Sequence, residues 1–248
     1  MSPAPLLLRD LTSDEVRDLL GRPPTAALVP VGSVEPHGPH LPLSTDTLLG
    51  ETTARRACDA LAAKGVTAVV APSVAYGVTD FAEGFAGAVS IPADVLTALL
   101  RAIVQRLRSD GWSHVCLVSN HLEPAHDAAV RAAIVDLPGS SVASPLTKRW
   151  GRTLSDEFKR AECHAGRYET SLVLAAGGRV AAGWEALPAV GVNIAAAIKQ
   201  GRSRFRDIGM DRAYTGAPAE ATRDEGDALF ERLVAMVVGE VTEGLGRA

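Results

Sequence analysis

Short apolar runs rich in β-branched residues alternate along this chain with longer stretches whose apolar residues recur at helical spacing. The run Ala26-Ala-Leu-Val-Pro-Val-Gly32 reads as a buried strand, followed by a helical pattern from Thr47 to Lys64 that stops at Gly65. A second apolar run, Val66-Thr-Ala-Val-Val-Ala-Pro72, leads into a Gly-containing loop from Tyr76 to Gly87. Pro92 then opens a helix in which Val95, Leu96, Leu99, Leu100, Ile103, Val104 and Leu107 form one broad buried face, and Gly111 ends it. His114-Val-Cys-Leu-Val-Ser119 is the next strand; a helix from Ala125 to Leu137 and a short strand near Ser141 to Ser144 continue the alternation. Helical patterns over Tyr168 to Ala176 and Ala217 to Leu245 close the chain, while Trp184 to Tyr214 carries no clear signal. Strand and helix in this order predict an α/β fold with a mostly parallel sheet covered on both sides by helices. At 248 residues, one domain over 1–248 is expected.

In sheets of this kind a site forms beyond the carboxyl ends of the strands, and the chemistry-bearing residues fall there. The first strand runs into Val31-Gly-Ser-Val-Glu35-Pro-His37-Gly-Pro-His40-Leu-Pro-Leu-Ser-Thr-Asp46, and the later one into Ser119-Asn-His121-Leu-Glu123. His164-Ala-Gly-Arg-Tyr-Glu169 adds another His/Glu pair, with Glu169 in the first turn of a helix. Extended backbone sends residues i and i+2 to one side, so these spacings offer carboxylate and imidazole together to a divalent cation. Taken singly, Asp46 reads as a helix cap, His114 as a surface or satisfied residue, His126 as solvated or packed, and His40 as a residue orienting the turn. Taken together, Glu35, Asp46, Glu123 and Glu169 would repel one another without cations, and a pair of divalent ions removes that penalty. A carboxylate bridging the pair would set a separation of roughly 3.5–4 Å.

The rest of the composition narrows the setting. No apolar run approaches the roughly 20 residues that cross a bilayer, and the start Met-Ser-Pro-Ala-Pro-Leu-Leu-Leu-Arg-Asp10 has no basic segment ahead of its leucines, so a cytoplasmic protein without membrane attachment is expected. A formal charge of −4 with interspersed signs argues against nucleic acid. The local exception, Lys199-Gln-Gly-Arg-Ser-Arg-Phe-Arg206, is read as a solvated loop or subunit contact, with an anionic substrate as the alternative. Cys58, Cys116 and Cys163 have no paired spacing and predict no disulfide; Cys58 and Cys116 read as core and Cys163 as packing or a site neighbour of His164.

The segment Pro30-Val-Gly-Ser-Val-Glu-Pro-His-Gly-Pro-His-Leu-Pro-Leu-Ser-Thr-Asp46 resembles the signature of the creatininase (creatinine amidohydrolase) family. His164-Ala-Gly-Arg-Tyr-Glu-Thr-Ser171 and Tyr214-Thr-Gly-Ala-Pro-Ala-Glu-Ala-Thr222 resemble two later motifs of that family, in the same order from about residue 25 to the end. The resemblance implies a three-layer αβα sandwich, a centre of two divalent metal ions (zinc with zinc, manganese or iron), hydrolysis of a non-peptide C–N bond, and commonly a homohexamer. It further implies Glu35, His37, Asp46 and His121 as metal ligands with Asp46 as the bridge, Glu123 and Glu169 as acidic positions used for metal in different members, and His164 as the proton-transfer residue. His164 and Glu123 are the candidate catalytic residues. The chain departs from the family at Asn120-His-Leu-Glu-Pro-Ala-His126, where many members carry Gly-His-Gly-Gly-Asn, and at Pro36, where Gln is common. Leu122 also stands where an aromatic would help enclose creatinine.

The expected activity is hydrolysis of a cyclic amide, lactam or formamide of a small-molecule substrate by a hydroxide drawn from solvent shared between the cations. Three other readings stand beside it. They are deformylation of a formamido-pyrimidine nucleotide met by Arg202, Arg204 and Arg206, peptide cleavage during maturation of a small ribosomal peptide, and a non-catalytic, metal-stabilised structural or binding protein.

Overall fold

The computed structural model describes residues 6–247, so the leader reading, which rests on the first ten residues, falls partly outside the described residues. In chain order the elements are β1 (Leu6–Leu7), α1 (Ser13–Leu20), β2 (Thr25–Val31), α2 (Thr45–Ala62), β3 (Thr67–Val70), α3 (Ala93–Ser109) and β4 (His114–Ser119). They continue with α4 (Pro124–Ala132), β5 (Ser140–Ala143), α5 (Lys148–Gly151), α6 (Asp156–Lys159), α7 (Arg167–Ala175), α8 (Ile194–Lys199) and α9 (Arg223–Gly244). The strands form one parallel sheet in the order β1-β3-β2-β4-β5.

All of β2 is buried, and its side chains alternate between two separate cores. Ala26 and Leu28 face a layer of α2, α7 and α9, packing with Leu49, Leu61, Leu172, Phe230 and Val237. Ala27, Val29 and Val31 face a layer of α1, α3 and α4, with Val16, Leu96, Leu100, Val104 and Val130. The period of two in an extended backbone thus sorts one apolar run onto both faces, and the result is the three-layer αβα sandwich. Pro30 is tolerated in this central strand because β3 pairs only as far as Leu28. Beyond that point the Pro30 carbonyl accepts from the Val74 amide at 2.9 Å, and the missing N–H removes no ladder bond.

The connections place the site. After β2 the chain crosses the first face through α2 to β3; after β4 it crosses the opposite face through α4 to β5. β2 and β4 are neighbours from which the chain leaves in opposite directions, and a crevice opens beyond their carboxyl ends. Among the described residues no helix is long and apolar enough to cross a membrane.

Several boundaries differ from the sequence expectation. α2 starts at Thr45, two residues early, so Asp46 lies inside its first turn; the flanking Ser44 makes no side-chain cap. The helix after β4 stops at Ala132, short of Leu137. β1, α1, α5, α6 and α8 are additional, and α1 carries a capping box, with Glu15 Oε2 accepting from the Thr12 amide at 2.7 Å. His114 is wholly buried, its Nε2 paired with Ser141 Oγ at 2.8 Å.

α9 and α7 pack through Gly226, where an added Cβ would sit 1.9 Å from the Ser171 carbonyl oxygen and 2.7 Å from Ala175 Cβ. Alanine is the better helix former by about 1 kcal/mol. Backbone overlap at that distance outweighs the gain, so Gly226→Ala is expected to destabilise the protein by about 1–3 kcal/mol net, measured from urea midpoints. A stabilised variant would show that the two helices can separate freely.

Candidate metal centre

At the end of β2 the chain turns against the start of α2. Gly32 permits the contact, since a Cβ there would lie 2.4 Å from Thr47 Oγ1 and 2.7 Å from Thr47 N. This approach brings Glu35, three residues past the turn, beside Asp46 on the helix. The intervening loop is held by Glu35 N–H donating to Leu43 O at 3.2 Å and by Gly38, at φ +65, donating to Ala213 O at 2.7 Å. β4 delivers His121 from the neighbouring strand, and the turn into α7 delivers His164 and Glu169.

Six of the seven expected site residues meet in one buried cluster. Glu35, Asp46 and His121 form one group of possible ligands, His37, Asp46 and Glu169 a second, and Glu35, His37 and His164 a third, the donor atoms of each lying within 4.8 Å of one another. Asp46 belongs to the first two: Oδ1 is 3.3 Å from His37 Nε2 and Oδ2 is 3.1 Å from His121 Nδ1. Glu35 Oε1 stands 3.3 Å from His121 Nδ1, and Glu169 Oε2 stands 3.5 Å from His37 Nε2. His164 joins at the edge, with Nδ1 3.8 Å from Glu35 Oε1 and its ring 4.6 Å from that of His37.

Backbone carbonyls assign the proton on each imidazole. His121 Nε2 donates to Val78 O at 2.7 Å, His37 Nδ1 to Glu35 O at 3.2 Å, and His164 Nε2 to Pro36 O at 3.1 Å. In each ring the other nitrogen faces the carboxylates, where it can offer a lone pair to a metal once any proton it holds is displaced, the orientation that second-sphere carbonyls impose on metal-ligating histidines. His37 Nε2 and Asp46 Oδ2 are buried without a hydrogen-bond partner, although both point into the cluster. Carboxylate and imidazole donors with such orphaned atoms fit divalent cations.

Electrostatics agree. Burial raises Glu35, but the His121 imidazole outweighs it and holds the carboxyl down to about 2. Asp46 is likewise raised by burial and then driven well below the ordinary carboxylate range by His121 and His37. Burial lowers His37, yet Asp46 and Glu169 lift it to about 10, and Glu35 and Asp46 lift His121 well above its ordinary value against the same burial. Glu169, raised by burial beyond what His37 offsets, stands at about 8. The donor set draws positive charge inward.

The seventh, Glu123, lines the mouth together with His164. A cavity of about 200 Å³ reaches the cluster, with Glu35, His121, Glu123 and His164 at its polar end. Its walls are apolar: Phe81, Leu122, Leu146, Phe158, Ile194, Ile198 and Phe205. Glu123 stands outside all three ligand groups, its Oε1 accepting from Asp80 N–H at 3.1 Å and Oε2 from Phe81 N–H at 3.2 Å. Burial pushes its carboxyl up to about 7. Burial and the His37 charge lower His164 to about 4, and the Phe205 ring covers it at 4.5 Å.

His40 stays out of the cluster, with Nε2 on Thr170 Oγ1 at 2.8 Å, and His126 packs edge-on against His121 at 4.6 Å with its own titration lowered by burial to about 3. All three cysteines are buried and free, and Cys163 lines the cavity. Arg202, Arg204 and Arg206 are exposed; Arg204 pairs with Glu83 at 2.7 Å, and none of the three lines the cavity. Unanticipated by the sequence reading are Thr79, whose hydroxyl donates to Glu35 Oε2, and Glu157. The buried Glu157 carboxylate accepts from the amides of Tyr168 at 2.7 Å, Ala217 at 2.8 Å and Arg167 at 3.1 Å, fixing the start of the helix that carries Glu169.

Known proteins share this arrangement of chain. The sequence model of the family described as "Creatininase: Creatinine amidohydrolase" matches residues 9–241. The chain is 32% identical over 208 residues to the "Mycofactocin precursor peptide peptidase" of Mycolicibacterium smegmatis, covering 84% of this chain and 80% of that protein. It is 28% identical over 101 residues to the "Creatinine amidohydrolase" of Pseudomonas putida, covering 39% and 37%. Among solved structures, "Creatininase Mn" superposes with a TM-score of 0.72 at 18% identity over 96% of this chain and 98% of that one. A creatinine amidohydrolase (creatininase) gives 0.72 at 19% identity over 98% of each. At these identities the structural likeness establishes a common fold.

With His37 near 10, His121 raised and Glu169 near 8, cations entering the cluster at pH 7 must displace protons, up to about three in all. Because the proton is the competitor, apparent metal affinity should weaken as pH falls. Calorimetric titration in buffers of different ionisation enthalpy reads the number released; a value of zero would mean that metal enters elsewhere.

Proposed function

The chain belongs to the creatininase family and is a hydrolase of that family; on this premise we propose that it cleaves an amide bond of a short peptide at a centre of two divalent cations. The observation that carries the peptide reading is the likeness to the mycofactocin precursor peptide peptidase, which extends over 84% of the chain. The cavity supports it. At about 200 Å³ the space is smaller than the roughly 300–1,000 Å³ typical of sites for drug-sized ligands, and its apolar walls suit one side chain of a larger substrate. A cyclic amide is the second reading, favoured by the shorter alignment with creatinine amidohydrolase.

In the proposed centre Glu35, Asp46 and His121 would hold one cation and His37, Asp46 and Glu169 the other. Bound there, divalent ions supply Lewis acidity, bringing a water toward a pKa of about 7 and polarising a substrate carbonyl. The protein's own part is proton traffic and orientation. His164 is neutral, and because its Nε2–H is committed to Pro36 O, Nδ1 is the atom free to accept a proton from the attacking water. As the C–N bond breaks, the same nitrogen returns that proton to the departing amine, which is a poor leaving group as an anion. Phe205 over the His164 ring keeps bulk solvent from that proton. Glu123 orders the backbone of Asp80 and Phe81, and so the cavity wall.

Metal-reconstituted protein should hydrolyse members of a short-peptide panel and lose that activity to chelator without unfolding. Turnover of lactams, formamides or creatinine with every peptide refused would replace the peptide reading by the second one. His164→Ala should retain its metal content while kcat falls by roughly 10²–10⁴-fold. Normal turnover in that variant would assign the proton transfer to another group.

A further inference from the structure

The segment Val78 to Phe81 belongs to no ligand motif, yet it touches the cluster at consecutive residues. Val78 O accepts the Nε2–H of His121 at 2.7 Å, and the Thr79 hydroxyl donates to Glu35. Those contacts orient two of the three side chains in the Glu35, Asp46 and His121 group, and none in the His37, Asp46 and Glu169 group.

The segment is in turn fastened at both ends, from the close of the β4–α4 turn and from the first turn of α4. At its far end the Asp80 and Phe81 amides are taken by Glu123. At its near end the Val78 amide donates to His126 Nδ1 at 3.3 Å. His126 is fully buried, its Nε2 has no partner, and its ring stands edge-on to His121. The approach is so close that Gly77 admits no side chain: a Cβ would lie 2.5 Å from His126 Nδ1 and 2.7 Å from Gly32 O. A buried imidazole that leaves one nitrogen unsatisfied, and for which the backbone makes room with a glycine, is costly packing unless the other nitrogen has a task.

We propose that His126 is a positioning residue: by accepting the Val78 N–H it fixes the 78–79 backbone that presents His121 and Glu35 to one of the two cations. The inference rests on the two-cation reading of the cluster and is independent of which amide is cleaved. It predicts an asymmetric effect, because the His37, Asp46 and Glu169 group has no side chain bonded to this segment.

The test is metal binding to the whole chain, by elemental analysis after dialysis and by calorimetric titration with zinc. Wild-type protein should take two ions. His126→Phe keeps a ring against His121 but removes the acceptor, and should weaken one ion by about 10–100-fold while leaving the other in place. His126→Asn, whose amide oxygen can stand where Nδ1 stood, should recover most of that affinity. Adding Glu169→Gln, which removes a ligand of the other ion, should cost the second ion in the His126→Phe background. Equal weakening of both ions in His126→Phe, no weakening, or failure of His126→Asn to recover it would overturn the proposal while leaving the metal centre standing. Wild-type protein that takes up no metal would overturn both. Should His126→Phe not fold, Thr79→Val tests the same segment through its bond to Glu35: selective loss of the same ion supports the proposal, and unchanged or even loss refutes it.

Discussion

Three carboxylates, Glu35, Asp46 and Glu169, share a space of a few ångströms at 1% exposure each, and the rest of the site answers to that repulsion. Buried acid groups at such spacing must be met by positive charge or be neutralised. The fold provides the first through two imidazoles that stand on opposite oxygens of Asp46. Their other nitrogens are tied to main-chain carbonyls, so neither ring can turn away and keep its bond. The same demand for charge explains why His37 and His121 hold their protons so strongly and why the site suits cations.

Assembling these groups depends on where backbone can touch backbone. Gly32 seats the end of β2 on α2, Gly77 seats the Val78 segment on His126, and Gly166 and Gly216 seat two loops on Glu157, with Glu157 oxygens 2.8 Å and 2.2 Å from the two Cβ positions. Each contact sits one layer behind a ligand. The ligands themselves come from four stretches of chain that only the parallel topology, with β2 beside β4, brings together.

Much of this was legible in the sequence, for physical reasons. Strands β2 and β4 are short apolar runs and α3 has an apolar face, so periodicity located them, although Val95 and Leu99 of the face expected to be buried are exposed; the His and Glu spacings after those strands pointed to residues that the structure brings together. The Thr12/Glu15 capping box of α1 was present in the sequence and overlooked, because no strong apolar run accompanies it. Asp46 illustrates a different limit: near a helix start an aspartate reads as a cap, and only the tertiary contact through Gly32 turns it toward two histidines. Glu123 sits at a ligand spacing, yet in the structure it serves two amides, a distinction made by the Val78 to Phe81 loop rather than by its neighbours in sequence. His126 and Glu157 act through main-chain partners, and Thr79 meets the Glu35 carboxylate across 44 residues of chain, so none of the three leaves a pattern in side-chain order. The walls from α8 and Phe205 fall in the stretch that carried no periodic signal, since a helix of 6 residues is too short to repeat an apolar spacing.

Those walls have a further bearing. The donors of the cluster lie between residues 35 and 169, whereas much of the cavity's apolar lining, including Ile194, Ile198 and Phe205, comes from a later excursion of the chain that contributes no donor to it. On the proposed function, recognition and reactivity therefore fall on separable stretches of polypeptide. Substitutions in the excursion can alter what is admitted while the machinery beneath keeps its geometry, a division of labour through which one scaffold could diversify its diet without relearning its chemistry.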